Sequence, residues 1–155
     1  MLAGKWTYRS FRNDSHLVGG DAQAALALIF GEGVFDLTQT EEGRLTGALG
    51  LGTGYALSLT GETEGAAHGA VRFFLSGRGL DGTATAGWHY DYRGVLGYCW
   101  PEAKDQQLSL LGTVLRVTAH GPNSPAGVTA SFIAVRQQED ARPRPARAPT
   151  LMAGL

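Results

Sequence analysis

The residues best suited to chemistry in this sequence lie at positions 87–100, which hold five of the fourteen aromatic residues. In an extended chain, alternate side chains point to opposite sides. One side of this stretch then carries Trp88 and Tyr90, and the other carries His89 and Asp91. Aromatic surface therefore lies beside titratable groups, and two alternative sites are predicted, according to which side faces the interior.

If the aromatic side faces inward, it forms the wall of a cavity for a flat, partly apolar ligand. Stacking on the rings would hold such a ligand, and tyrosine hydroxyls would orient it. The alternative, which stays open, is an ordinary aromatic core whose hydroxyls bond to backbone groups. The predicted ligand-binding residues are Tyr8, Trp88, Tyr90, Tyr92, Tyr98 and Trp100.

If the polar side faces inward instead, His89 and Asp91 have a spacing that suits acid–base catalysis. Residues two apart on a strand are close enough for the carboxylate to orient the imidazole as a general base. The alternative is a solvated pair on the outer surface of a sheet. Catalytic roles for His89 and Asp91 therefore apply only if the protein is an enzyme.

Other kinds of site have less support. The sequence has no Gly-x-Ser-x-Gly motif for a serine nucleophile. The single cysteine, Cys99, is expected to be buried among aromatic residues and so unreactive. The glycines at 50–54 favour a turn between strands over a phosphate-binding loop. The histidines have no recognised metal-ligand spacing, and His120 is expected to be exposed in a turn, so no metal or other cofactor is predicted.

The elements that must position these residues are predicted to be strands joined by turns. Twenty-three glycines separate runs of alternating polar and apolar residues, which is typical of antiparallel sheets. Residues 83–93 and 95–100 are predicted as neighbouring strands, with a turn or kink at Gly94. Residues 21–30 favour a short helix with Asp21 as its N-cap, a strand being the alternative. We predict an all-β fold, an antiparallel up-and-down β-barrel of about eight strands with one short helix, and a β-sandwich is the alternative.

The 155 residues are expected to form a β-barrel domain at 1–137 and a Pro/Arg-rich C-terminal tail at 138–155. The tail favours a solvated segment, with docking on a partner as the alternative. A net charge of −1 argues against nucleic acid and membrane surfaces as partners. The absence of a secretory h-region and of a long apolar run favours a cytoplasmic location. The number of apolar residues predicted to face outward favours homo-oligomerisation.

A short motif adds to this prediction. The sequence Gly4-Lys5-Trp6 in the first strand, together with Arg136 in the last one, resembles the structural signature of calycins, the superfamily of lipocalins, avidins and fatty-acid-binding proteins. The resemblance implies a calycin-like barrel in which Arg136 lies across the Trp6 indole, both residues being structural. The chain departs from the avidin pattern because its last two predicted strands have no tryptophan, so the resemblance does not extend to biotin.

Three functions follow, in order of preference. The first is a small-molecule binding protein that holds a hydrophobic or aromatic ligand inside the barrel without catalysis. The second is a small barrel enzyme that uses His89 and Asp91 for proton transfer or cyclisation. The third is a structural or assembly module whose barrel is packed solid.

Overall fold

The computed structural model describes residues 2–16, 18–65 and 71–138. These residues form eight strands and one short helix. In chain order they are β1 (Gly4–Arg12), α1 (Ala22–Leu26), β2 (Ile29–Gln39), β3 (Arg44–Gly50), β4 (Ala56–Glu64), β5 (Arg72–Gly79), β6 (His89–Leu96), β7 (Ser109–Arg116) and β8 (Thr129–Arg136). The predicted all-β class is confirmed. Of the predicted tail, residues 139–155 lie outside the described residues. No helix in the described ranges has both the length and the apolar character that crossing a membrane requires.

The eight strands close into a barrel. Each strand pairs antiparallel with the next one along the chain, and β8 returns to pair with β1. Tyr8 of β1 thus lies opposite Gly33 on one side and Ala134 on the other. Closure gives every strand two hydrogen-bonded neighbours and removes exposed sheet edges. The up-and-down barrel is confirmed and is consistent with a calycin-like fold, whereas the β-sandwich alternative is wrong.

Aromatic side chains fill the middle of the barrel. Alternation along the strands points Tyr8, Phe35, Tyr92 and Phe132 inward, and all four are buried. Their ring centroids lie 4.8–6.2 Å apart, mostly in edge-to-face arrangements. Such pairs add about 0.5–1.5 kcal/mol each beyond the burial of their area. The barrel is therefore packed solid at its middle.

One end of the barrel is closed by Trp6, which is fully buried. Its indole N–H donates to the carbonyl of Leu2 at 3.0 Å, and the Arg136 guanidinium lies 5.4 Å from its ring centroid. A Cβ at Gly4 would lie 3.0 Å from that guanidinium, so a side chain at this position would crowd it. This is the arrangement that the resemblance implied for Trp6 and Arg136. We call this the closed end, and the opposite end, where β1 leads into α1, the open end.

Two predicted boundaries are wrong. Residues 83–88 form a turn-rich loop and not a strand, because the Thr83 hydroxyl donates to Leu80 O at 2.7 Å and the Thr85 hydroxyl to Ala56 O at 2.8 Å. These bonds hold the backbone in a turn. Gly94 lies inside β6 and not at a kink, because it is paired with Phe73 of β5 and with Gly112 of β7.

The short helix is confirmed in part. The Asp21 carboxylate accepts hydrogen bonds from the backbone N–H of Gln23 and Ala24 at 3.0 and 3.2 Å, as an N-cap does. The helix ends at Leu26, however, and β2 begins at Ile29. Phe30 consequently belongs to a strand, and its side chain is available to the open end of the barrel.

Candidate functional site

A cavity of about 240 Å³ lies at the open end, above the packed aromatic rings. Its wall comes from six of the strands and from segments that adjoin them, and most of its lining is aromatic or aliphatic. The lining residues are Tyr8, Phe30, Gly31, Leu49, Leu51, Leu57, Trp88, Tyr90, Tyr92, Arg116, His120 and Ser124. A larger groove of about 830 Å³ lies at the closed end, but its lining is mainly polar residues such as Lys5, Asp36 and Gln106. The aromatic cavity is therefore the candidate site.

Four of the six predicted ligand-binding residues line this cavity. Tyr90 and Tyr92 point inward from β6, Trp88 precedes that strand and is half-buried, and Tyr8 points inward from β1. The aromatic side chains of residues 88–92 thus face inward, as the interpretation of a ligand cavity requires. Whether these residues bind a ligand stays a prediction.

Tyr98 and Trp100 do not line the cavity. They are 74% and 68% exposed and pack edge-to-face against each other, with centroids 5.2 Å apart. The prediction that they face the interior is wrong because β6 ends at Leu96 and the chain then leaves the sheet at the closed end. Cys99 lies between them and is also exposed, so its predicted burial is wrong as well.

His89 and Asp91 lie on the outer face of the barrel, because Tyr90 between them points inward. His89 Nε2 lies 2.9 Å from an Asp91 carboxylate oxygen and 3.1 Å from the Ser76 hydroxyl. The three residue types are those of a catalytic triad, but both contacts use one ring nitrogen. A relay needs the carboxylate on one nitrogen and the nucleophile on the other. The possibility that this face points inward is wrong, and the pair lies outside the cavity.

A chain of hydrogen bonds crosses the cavity wall through Tyr90. Arg116 Nε–H donates to the Tyr90 hydroxyl oxygen at 3.1 Å, and a short hydrogen bond joins the same hydroxyl to His120 Nε2. Since the oxygen accepts from Arg116, we assign its hydrogen to the bond with His120. Nε2 is then the acceptor, and the proton of the neutral imidazole resides on Nδ1.

His120 has two further neighbours, Trp88 and Arg116. Its ring stacks on Trp88, with centroids 3.9 Å apart and planes inclined by 14°. Desolvation lowers the pKa of His120 below its ordinary value of 6.5, and the positive charge of Arg116 lowers it further. The expected exposure of His120 in a turn is therefore wrong, because the 117–128 loop folds the ring against the cavity wall.

Arg116 lies at the end of β7, opposite Tyr90 in the sheet. Its guanidinium carbon is 4.8 Å from the centroid of Phe30 and 5.8 Å from that of Tyr90. A second hydrogen bond, from Nη1 to the carbonyl of Pro125, is 3.2 Å long. The cation is therefore held between aromatic rings in the wall of the cavity.

The floor of the cavity is uncharged. Burial raises the pKa of Tyr8 and of Tyr92 well above the ordinary value of 10.0, because a phenolate there would be desolvated. At neutral pH both residues present neutral phenols. Within the described residues no group of three or more His, Cys, Asp or Glu side chains is placed to hold a metal ion.

Arg116, His120 and Phe30 are site residues that the sequence analysis did not select. One signal pointed to Arg116, since it follows the inward residues Leu110 and Val114 at even spacing on β7. No comparable pattern marks His120, which lies in a loop. Compared with known proteins, the chain matches no protein-family model and has no match among curated proteins.

Proposed function

We propose that this protein binds a small hydrophobic or aromatic molecule in the cavity at the open end of the barrel. The observation that carries the proposal is the lining itself: Trp88, Phe30 and Tyr90 form an aromatic wall around about 240 Å³. Cavities of this kind, mostly apolar with a few polar groups at fixed positions, are typical of small-molecule sites. An eight-stranded barrel is wide enough to hold one such ligand.

The volume limits the size of the ligand. A cavity of about 150 Å³ accepts benzene, so about 240 Å³ suits one substituted ring or two fused rings. Larger molecules would have to extend through the open end, since Tyr8 and Tyr92 close the floor. The proposed ligand class is therefore compact and planar.

The enzyme alternative loses the residues on which it depended, because His89 and Asp91 lie outside this cavity. The alternative of a solid structural barrel accounts for the packed middle but not for the space above it. Ligand binding accounts for both, since the packed rings support the floor on which a ligand would rest.

Fluorescence of the Trp88 indole tests the proposal. A Trp100→Phe variant removes the exposed indole outside the cavity and leaves Trp88 and the buried Trp6. We expect indole-sized and naphthalene-sized compounds to quench this variant and to raise its melting temperature, because a ligand that binds only the folded state stabilises it. The matched control adds Trp88→Phe, which keeps an aromatic ring in the cavity wall and removes the reporting indole. The rise in melting temperature should then remain, while the quenching of Trp88 fluorescence disappears. Absence of both effects across a panel of ring compounds would overturn the proposal.

A further inference from the structure

Arg116 differs in its charge partners from three of the arginines on the outer surface. Arg9, Arg44 and Arg72 each lie within 4.0 Å of a glutamate. In the described part of the chain no carboxylate lies that close to Arg116. A guanidinium has five N–H donors, and two of those of Arg116 donate to described residues, one to Tyr90 and one to Pro125. The side chain therefore has donors to spare on a half-buried cation.

The rest of the cavity does not neutralise this charge. None of the residues that line it is acidic. Tyr8 and Tyr92 are neutral phenols at neutral pH, and the pKa of His120 is lowered below its ordinary value, so its imidazole is uncharged there. A single positive charge in a wall of low polarity attracts anions more strongly than the same charge in bulk water.

We propose that the ligand is an aromatic carboxylate whose ring lies in the cavity and whose carboxylate pairs with Arg116. The inference rests on the proposed function of the same cavity and adds the chemical class of its ligand. The planar guanidinium matches a carboxylate, which accepts two parallel N–H bonds. Trp88 and Phe30 line the same cavity as Arg116 and supply aromatic surface for the ring of the ligand.

Two probes that differ mainly in charge test the inference: 2-naphthoate and its neutral amide, 2-naphthamide. Calorimetric titration of the wild type at low salt should show the acid binding about 10- to 100-fold more tightly than the amide, because a hydrogen-bonded charge pair replaces a neutral contact. Added salt should weaken the binding of the acid and leave that of the amide nearly unchanged.

Variants assign the preference to Arg116. Arg116→Gln should abolish the preference for the acid and retain binding of the amide, which also reports that the barrel is folded. Arg116→Lys should keep part of the preference, because it retains the charge and loses the planar fork. Arg93→Gln is the matched control, since Arg93 is also stacked on a ring, with its guanidinium 5.0 Å from the centroid of Phe74, but lies outside the cavity. It should behave as the wild type.

The outcomes separate the two proposals. If both probes bind the wild type equally, or if Arg116→Gln leaves the preference intact, the carboxylate inference is overturned while the cavity stands. If neither probe binds, the carboxylate inference is overturned as well, and the proposed function fails only if the panel of ring compounds also gives no response. Should Arg116→Gln not fold, the acid–amide ratio and its salt dependence in the wild type decide the question.

Discussion

Gly31 offers a test of the cavity at the open end, because its wall should have room for a methyl group at this position. It lies on β2 and lines the cavity. A Cβ built there would meet the Ser10 hydroxyl at 3.5 Å and a ring carbon of Tyr8 at 3.9 Å, which are ordinary van der Waals contacts. Its φ is not positive, so alanine can adopt the same backbone conformation. Gly31→Ala therefore adds a methyl group at ordinary contact distance from its neighbours and without backbone strain.

The expected change in the free energy of unfolding has two contributions. Replacing glycine by alanine where the backbone permits it stabilises a protein by about 0.4–1 kcal/mol, through the lower entropy of the unfolded chain. Burial of part of a methyl group adds up to about 0.8 kcal/mol. We expect Gly31→Ala to raise the free energy of unfolding by about 0.5–1.5 kcal/mol. The same methyl group occupies ligand space, so ligand binding should weaken by about 1 kcal/mol, roughly fivefold in Kd.

Urea denaturation followed by circular dichroism measures the first effect, and titration with a ring compound measures the second. The matched control is Gly33→Ala, two residues further along β2, where a Cβ would lie 2.1 Å from the carbonyl oxygen of Gly50. That clash should cost about 1–3 kcal/mol. If Gly31→Ala destabilises the protein as much as Gly33→Ala does, the wall at Gly31 is closed and the reasoning is refuted.

Three further predictions concern stability and pH. In urea denaturation, Trp6→Ala should lower the free energy of unfolding by about 3–5 kcal/mol and Trp88→Ala by about 1–2 kcal/mol, because only the Trp6 indole is fully buried. Equal losses would contradict the assignment of closed and open ends. Burial raises the pKa of both Tyr8 and Tyr92 above 10.0, so above pH 10 the unfolded chain loses its phenol protons first. Stability measured against pH should then fall by up to about 1.4 kcal/mol per pH unit for each phenol, and Tyr8→Phe should reduce the slope. The pKa of His120 is lowered below 6.5, so below that pH the imidazole binds a proton in the unfolded chain before it does in the folded one, and stability should decline. His120→Gln should remove the contribution of this imidazole when the melting temperature is measured against falling pH.

The barrel was predictable because its signals are local. Alternation of polar and apolar residues marks each strand without knowledge of its partner, and eight such runs separated by glycine turns leave few alternatives to closure. The cap of the helix was predictable for the same reason, since Asp21 bonds to backbone groups only two and three residues away. Such features depend on short stretches of chain, which a sequence shows directly.

Strand ends were less predictable, because alternation does not show where a partner strand stops. The pattern that begins at Trp88 continues through Tyr98 and Trp100, yet the last pair between β6 and β7 is Leu96 with Leu110. Beyond that pair one more backbone hydrogen bond forms, from Gly97 N–H to the carbonyl of Ser109 at 2.7 Å. The two aromatic residues then enter a loop. For the same reason the loop at 83–88 was not predicted. There, threonine hydroxyls bond to the backbone in place of a sheet partner.

The site depended on contacts that are distant in sequence. Tyr90 was predicted on its own strand, but Arg116 and His120 reach it across 26 and 30 positions. The strand register that brings Arg116 opposite Tyr90 is fixed by the whole sheet. His120 has no strand to place it, and its position follows from the fold of the loop after β7. Most of the aromatic residues of the candidate site were therefore visible in the sequence, whereas Phe30, Arg116 and His120 were not.

At each end of the barrel an arginine lies against an aromatic ring, but the two arginines have different roles. At the closed end, Arg136 lies across Trp6, and Gly4 leaves just enough room for the guanidinium. At the open end, Arg116 lies over Phe30 beside a cavity, and the indole of Trp88 is stacked on a neutral imidazole. Substitutions at Trp6 should therefore change stability first, whereas substitutions at Arg116 should change what binds. Trp6 and the packed rings close the other route. Under the proposed function a ligand would therefore enter through the open end, so changes in the loops there should alter association rates before they alter the fold.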